Sequence, residues 1–299
     1  MKILLLGANG QLGKELERQL SSVGSVAAFP RESLDVINHT AVRDAVRCVR
    51  PNIIVNAAAY TAVDKAETDA DFAYAVNAEA VANLAQIAQE QSLWLFHYST
   101  DYVFDGVKQS PYLETDTPNP INVYGASKLA GETAMAAADC QGLIFRTTWV
   151  IGKDNHNFPK TILRLARERD TLKVVHDQIG VPTSSSLITR VTMDAIRAIK
   201  DNNAWPLGIY HLAPQGKTSW HEIAQTLIAY AEQRQIPLRT HAANIQATTT
   251  AEYPTAAKRP LNSQLDTHKL RSQLSFDLPH WKDNFLAVAS DIVKELETV

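Results

Sequence analysis

At 299 residues, 45% of them hydrophobic and 20% charged, the chain is long enough to bury one large core or two. A net charge of −3 without a basic stripe argues against nucleic acid as a partner, and the two cysteines, Cys48 and Cys140, form neither a disulfide framework nor a metal pattern, which suits a reducing cytoplasm. The first apolar run, Ile3 to Leu6, is too short for a signal-peptide core or a membrane span, so no membrane partner is expected.

That run reads as a buried strand. It enters Gly7-Ala8-Asn9-Gly10-Gln11-Leu12-Gly13, and an amphipathic helix carrying Leu12, Leu16 and Leu20 follows. Strand, tight turn and helix start are the context of a dinucleotide fingerprint, here spaced Gly-x-x-Gly-x-x-Gly. Only 12 glycines occur in the chain, so three in one turn are not incidental. Gly7 and Gly10 are expected to let the backbone turn and approach a pyrophosphate. Gln11 and Leu12 present the helix N-terminus to the anion, and Gly13 lets the helix pack against the sheet. A second short strand, Val26 to Phe29, closes at Pro30. Arg31 then stands where an acid usually marks NAD, and a cation favours the 2′-phosphate of NADP. NADPH is therefore the expected cofactor, while Glu32 and Asp35 leave NADH open; Asp35 and Val36 join Arg31 in the cofactor site.

A helix from about Ala41 to Val49 leads into the strand at Ile53, which emerges into Ala57, Ala58 and Ala59. These small residues leave room for the middle of a cofactor. One long alanine-rich helix is expected from Phe72 to Gln91, then a fully buried strand, Leu93 to Tyr98, ending in Ser99-Thr100-Asp101. On the next helix, Asn122 to Ala138, Tyr124 and Lys128 stand one turn apart on one face. There the ammonium would pull the tyrosine pKa down from about 10. Thr100 can hydrogen-bond a carbonyl oxygen, and Tyr124 can pass it a proton as hydride reaches the carbon. Lys128 would serve both the tyrosine and the cofactor ribose. Asp101 either shapes its loop as an Asx turn or meets substrate.

Continuous apolar strands separated by helices specify an α/β chain with a doubly wound parallel sheet of Rossmann type, which binds ligands beyond the strand ends. Gly7, Ala57, Thr100 and Trp149 all lie at such ends. Helical patterns at Phe158 to Arg169 and Leu187 to Ile199 continue the layers of a nucleotide domain at 1–205, whose core is 1–150. A strand at Ile209, a helix from Trp220, a threonine-rich stretch to Thr255 and a last helix near His280 read as a smaller α/β substrate domain at 206–299, to which parts of 150–175 could also belong. His221-Glu222 starts no zinc motif because position 225 is Gln225, and no metal is expected.

The chain resembles the extended short-chain dehydrogenase/reductases and, within them, the dTDP-4-dehydrorhamnose reductases. The glycine turn and Tyr124-x-x-x-Lys128 carry the wider resemblance. Thr61-Ala62-Val63-Asp64-Lys65-Ala66-Glu67, Phe145-Arg146-Thr147-Thr148-Trp149 and Arg259-Pro260-Leu261-Asn262-Ser263 carry the narrower one. The resemblance implies a cytoplasmic enzyme reducing the 4-keto group of dTDP-4-dehydro-6-deoxy-L-mannose to dTDP-L-rhamnose, a precursor of cell-surface polysaccharide. It implies Tyr124 as the acid with Thr100 and Lys128 beside it, and Thr100, Asp101 and Trp149 against the sugar. Arg259 would bind the nucleotide diphosphate, whose oxygens suit its fork. Some proteins of this kind hold a magnesium at a homodimer contact through glutamates. Glu15 matches one of these, but Ser184-Ser185-Ser186 lacks another, so no such metal is expected and the dimer is left open. A nucleotide-sugar 4,6-dehydratase would carry Glu where Tyr102 stands. A nucleotide-sugar epimerase would share the superfamily features and retain its cofactor through turnover. A cofactor-binding regulatory subunit would share them too, but it has no need of Tyr124, Lys128 and Thr100 together.

Overall fold

Ile3 to Leu6 are wholly buried, as are Ile53 to Val55, and strands without an exposed side chain need cover on both faces. They find it in a six-stranded parallel sheet built from β1 (Lys2–Leu6), β2 (Ser25–Phe29), β3 (Ile53–Asn56), β4 (Trp94–Thr100), β5 (Gly142–Thr147) and β6 (Gly208–Leu212). Their order is β6-β5-β4-β3-β1-β2, so the winding reverses between β1 and β3. Register brings the strand ends level: Leu6 lies opposite Phe29 and Asn56, and Thr100 opposite Thr147. The computed structural model describes residues 1–202 and 205–297.

On one face α1 (Gln11–Leu20) buries Leu16 and Leu20 beside Leu187, Ile188 and Val191 of a helix at Ser185–Lys200. The other face is covered by α2 (His39–Val49) and by the alanine-rich segment. That segment is not the single helix expected. It runs as α3 (Ala70–Tyr74), a π-helical turn at Ala75–Glu79 and α4 (Ala80–Glu90). The wider turn serves Asn77, whose Oδ1 accepts from Tyr60 N at 2.9 Å and whose Nδ2 donates to Tyr60 O and Ser127 Oγ at 3.0 Å each. Ser127 lies on α5 (Val123–Ala137), the helix of Tyr124 and Lys128, which Asn122 caps by accepting from Gly125 N at 2.7 Å.

A second hydrophobic core gathers α6 (Phe158–Glu168), α8 (Trp220–Gln233) and α9 (Trp281–Glu297), while α7, the helix at Ser185–Lys200, packs into the first. Two expectations change here. Phe158 to Arg169 does not extend the nucleotide layers, because Ile162, Leu163 and Ala166 pack with Ile223 and Leu227 of α8. The strand at Ile209, placed in the second domain by sequence, is the sixth strand of the main sheet and pairs with β5 from Gly208↔Leu143 to Leu212↔Thr147. A cut at 205 therefore does not follow the packing: both cores draw on segments from each side of it.

Candidate functional site

The glycine turn works through contacts that exclude a side chain. Gly7 has φ +74°, and a Cβ on it would lie 2.6 Å from Ala58 N; one on Gly13 would lie 2.0 Å from Gly7 O. The turn is thus pressed against both α1 and the small residues after β3. Helix α1 starts after Gly10 with no side chain capping it and no acid in its first turn, which leaves its N-terminal N–H groups for an anion. Gln11 points elsewhere: Nε2 donates to Val150 O at 3.0 Å, and Asn157 Nδ2 donates to its Oε1 at 2.9 Å.

Two cavities meet at Gly10, Ala57 and Ala59. The smaller is bounded by Gly7, Arg31, Asp35, Val36 and Ala58, so every residue expected at the adenosine end is brought together. Arg31 donates from Nε to Asp35 at 3.3 Å and lies over the Phe72 ring, while Asn9 Nδ2 holds Glu32 at 2.9 and 3.0 Å. Both acids near Arg31 therefore already have partners. The larger cavity, about 540 Å³, is lined by Gln11, Leu12, Thr100, Asp101, Tyr124, Lys128 and Trp149 among others. A long trough with a bare helix N-terminus at its waist and a cation at one end fits a dinucleotide phosphate.

At the other end the side chains are buried. Thr100 Oγ1 donates to Asp101 Oδ1 at 3.1 Å, accepts from Tyr102 N at 3.1 Å and hydrogen-bonds the Tyr124 phenol. It thus both shapes its own loop and meets the tyrosine. Burial pushes Tyr124 up to about 12; the Thr100 bond opposes this and the Asp101 charge adds to it. The downward shift expected from Lys128 is not present. Lys128 Nζ is drawn instead to the end of β4, donating to Tyr98 O at 2.7 Å and lying 3.2 Å from His97 Nε2. Burial lowers Lys128 to about 8, with Glu132 acting the other way. Asp101 is raised to about 7 by burial, against bonds from Ser263 and Thr100, and its Oδ2 has no partner. Thr147 Oγ1, opposite Thr100 on β5, is likewise buried and unpaired, so this wall holds two polar atoms that a ligand could satisfy.

Trp149 has φ +43°, rare for a bulky residue, and stacks on Trp220 at 4.0 Å. Trp220, on α8, supplies cavity wall that sequence reading did not assign. So does the loop Asn155 to Phe158, although Asn157 before Phe158-Pro159 is a recognisable cap, accepting from Lys160 N at 3.1 Å. Arg259 is not on the cavity wall. Asp64 takes its fork, at 3.1 Å from Nη1 and 2.7 Å from Nη2. Glu67 of the same segment accepts from Val123 N at 2.9 Å, which places Thr61 to Glu67 as a tie between the tyrosine helix and the Arg259 loop. Glu15 is bound by Arg18 and Gln19, and Ser184 caps its helix by accepting from Leu187 N at 3.0 Å.

The chain is similar to known proteins along nearly its whole length. The family described as RmlD substrate binding domain matches residues 1–293. A dTDP-4-dehydrorhamnose reductase of Escherichia coli (strain K12) is 46% identical over 286 residues, covering 94% of this chain and 95% of the relative. The chain belongs to the dTDP-4-dehydrorhamnose reductase family. Among solved structures of that family, one from Bacillus anthracis in complex with NADP superposes with a TM-score of 0.88 at 36% identity, covering 96% of this chain and 98% of that one. One from Clostridium acetobutylicum gives 0.87 at 37% identity, covering 97% and 99%. Among the described residues, no helix is long and apolar enough to cross a membrane.

Proposed function

We propose that this chain reduces the 4-keto group of dTDP-4-dehydro-6-deoxy-L-mannose with NADPH, giving dTDP-L-rhamnose in the last step of dTDP-rhamnose synthesis in the cytoplasm. The observation that carries the reading is the meeting of Thr100, Tyr124 and Lys128 on one wall of the cavity that also contains the Gly10 to Leu12 helix start. NADPH, when bound, supplies hydride to the keto carbon. The chain does the rest. Thr100 and Tyr124 orient the carbonyl oxygen, Tyr124 gives it a proton, and Lys128 supports the tyrosine and holds the ribose. Asp101 and the Trp149–Trp220 stack would flank the sugar. A phenol raised to about 12 is protonated at neutral pH, the state an acid must be in before reduction. Arg31 favours NADPH, with NADH as the weaker coenzyme. Arg259, fastened by Asp64, would reach the nucleotide diphosphate only by exchanging that partner. A homodimer without a metal is compatible with these roles.

The test is consumption of reduced nicotinamide by the purified protein, with the 4-keto sugar nucleotide made in situ. Rapid oxidation with dTDP-L-rhamnose as product is expected. Tight cofactor binding without turnover would sink the reductase reading.

A further inference from the structure

The chain leaves β5 along a path tied down on both sides of Trp149. Thr148 Oγ1 donates to Val181 O at 2.6 Å, the Trp149 carbonyl accepts from Thr183 N at 3.2 Å, and Val150 pairs with Thr183. Trp149 makes the turn between these ties at φ +43°, where glycine or asparagine would meet less strain. A bulky ring kept at such a position points to a use for the ring. Two contacts hold it. One is Trp220, stacked at 4.0 Å and 21° and itself backed by Phe158 at 4.6 Å. The other is Gly180, where a Cβ would lie 2.8 Å from Trp149 Cζ2, 2.9 Å from its Cε2 and 3.1 Å from Ser263 Cβ. The φ of Gly180 is not positive, so its backbone does not call for glycine; the room taken by its neighbours does. Both contacts belong to one piece of structure. Ile179 and Gly180 pair antiparallel with Ser219 and Thr218, and Ser219 caps the helix that Trp220 begins, accepting from Glu222 N at 3.2 Å.

We propose that Trp220 and Gly180 are positioning residues that clamp the Trp149 indole, so that it presents a fixed apolar wall to the sugar of the substrate. The inference rests on the reading of Trp149 as a contact of that sugar. Trp149, Trp220 and Phe158 are half-buried and line the cavity that also holds Thr100 and Tyr124. An indole free to turn would have to be ordered when the sugar arrives, at the expense of affinity. A clamped one is ordered beforehand. Arg31 and the other residues of the adenosine end line the smaller cavity, away from the clamp, so the hold on the cofactor does not depend on it.

The first test is a crystal structure of Trp220→Leu, a side chain that fills space but offers no flat face. The Trp149 indole is expected to turn from its wild-type place or to spread over several; an indole that superposes on the wild type overturns the proposal. In kinetics, Trp220→Leu should raise KM for the 4-keto sugar nucleotide about tenfold, with kcat and the KM for NADPH nearly unchanged. Trp220→Phe, which can still stack, should restore it; a Phe variant as poor as Leu would rule out stacking as the cause. Gly180→Ala, crowding the same ring through the other contact, should give the same split and serves if the helix start does not tolerate Leu. In a Trp149→Ala background, Trp220→Leu should add nothing. A further loss there would show that Trp220 meets the sugar itself and would overturn its positioning role. A displaced indole with an unmoved KM would refute the link to the sugar. The crystal structure is read without turnover, so an inactive wild-type chain would sink the reductase reading while the clamp was still decided.

Discussion

The two ends of the trough are made of different material. At the glycine turn the site is main chain: Gly7 and Gly13 admit no Cβ, and the charged contributors, Arg31 and Asp35, have side chains 61% and 32% exposed. At the Tyr124 end it is side chain: Lys128, His97, Asp101, Glu132 and Arg146 are all buried, and the first three have displaced pKa values. A main-chain site binds whatever anion fits and resists substitution by steric exclusion. A buried polar site is chemically tuned, and it is vulnerable because each group depends on its neighbour's charge. Substitutions at the two ends should therefore fail differently.

The largest effect belongs to the buried end. Tyr124→Phe removes the proton donor and leaves the glycine turn intact. Turnover should fall by about 10²–10⁴-fold while NADPH affinity, measured by fluorescence titration, stays near wild type. A rate within a few-fold of wild type would break the comparison, because catalysis would no longer depend on that end. Next comes Glu132→Gln. Glu132 and Arg146 are 3% and 2% exposed, and Arg146 also lies over the Phe104 ring. Leaving Arg146 charged and unpaired should cost about 3–5 kcal/mol in denaturant unfolding. An exposed pair such as Arg47–Asp44 should contribute less than about 1 kcal/mol by the same measurement.

The contrast also decides what the sequence could disclose. Main-chain features have a short-range signature. Gly7 to Gly13, the small residues Ala57 to Ala59 and the unbroken apolar strands were all legible, and the parallel sheet with them. Tyr124, Lys128 and Thr100 were legible as residue types, but the environment that sets their charge was not. His97 reads as one more residue of a buried strand, and its contact with Asn56, forty-one positions earlier and on the adjoining strand, leaves no local signature. The π turn was hidden because its alanine-rich sequence is equally good α-helix, and Asn77 widens it only through partners on Tyr60 and Ser127. The strand at Ile209 was separated from its sheet because part of the second core, α6 with Leu172 to Val181, and then α7 are threaded between it and β5. Chain proximity suggested one domain; hydrogen bonding put it in the other.

Asp101 sharpens the comparison through pH. Its folded pKa, about 7, lies above the unfolded value of about 3.9, so between these limits the folded chain binds the extra proton. Its contribution to stability is present below the unfolded pKa and is lost as pH rises through the folded one. Asp101→Asn keeps the shape without the charge. It should therefore raise the melting temperature at about pH 8 and change it little at about pH 4. An equal shift at both pH values would mean that the carboxyl is not buried in the way its unpaired Oδ2 indicates.

The smallest effect is expected at the open end, from Arg31→Ser. The Arg31 guanidinium is exposed, anchored through Nε to Asp35 and supported by the Phe72 ring, and it lines the cavity with Val36. A 2′-phosphate would gain a charge-assisted bond there, weakened by solvent, so the loss for NADPH should be about tenfold in KM. NADH, which lacks that phosphate, should be almost unaffected. Salt gives the same contrast from another side. Raising ionic strength should erode wild-type preference for NADPH, because this charge is in water, and should leave the Tyr124-dependent step alone, because that network is not. If Arg31→Ser weakened both coenzymes equally, Arg31 would be acting through the fold of the loop it shares with Asp35 rather than through phosphate.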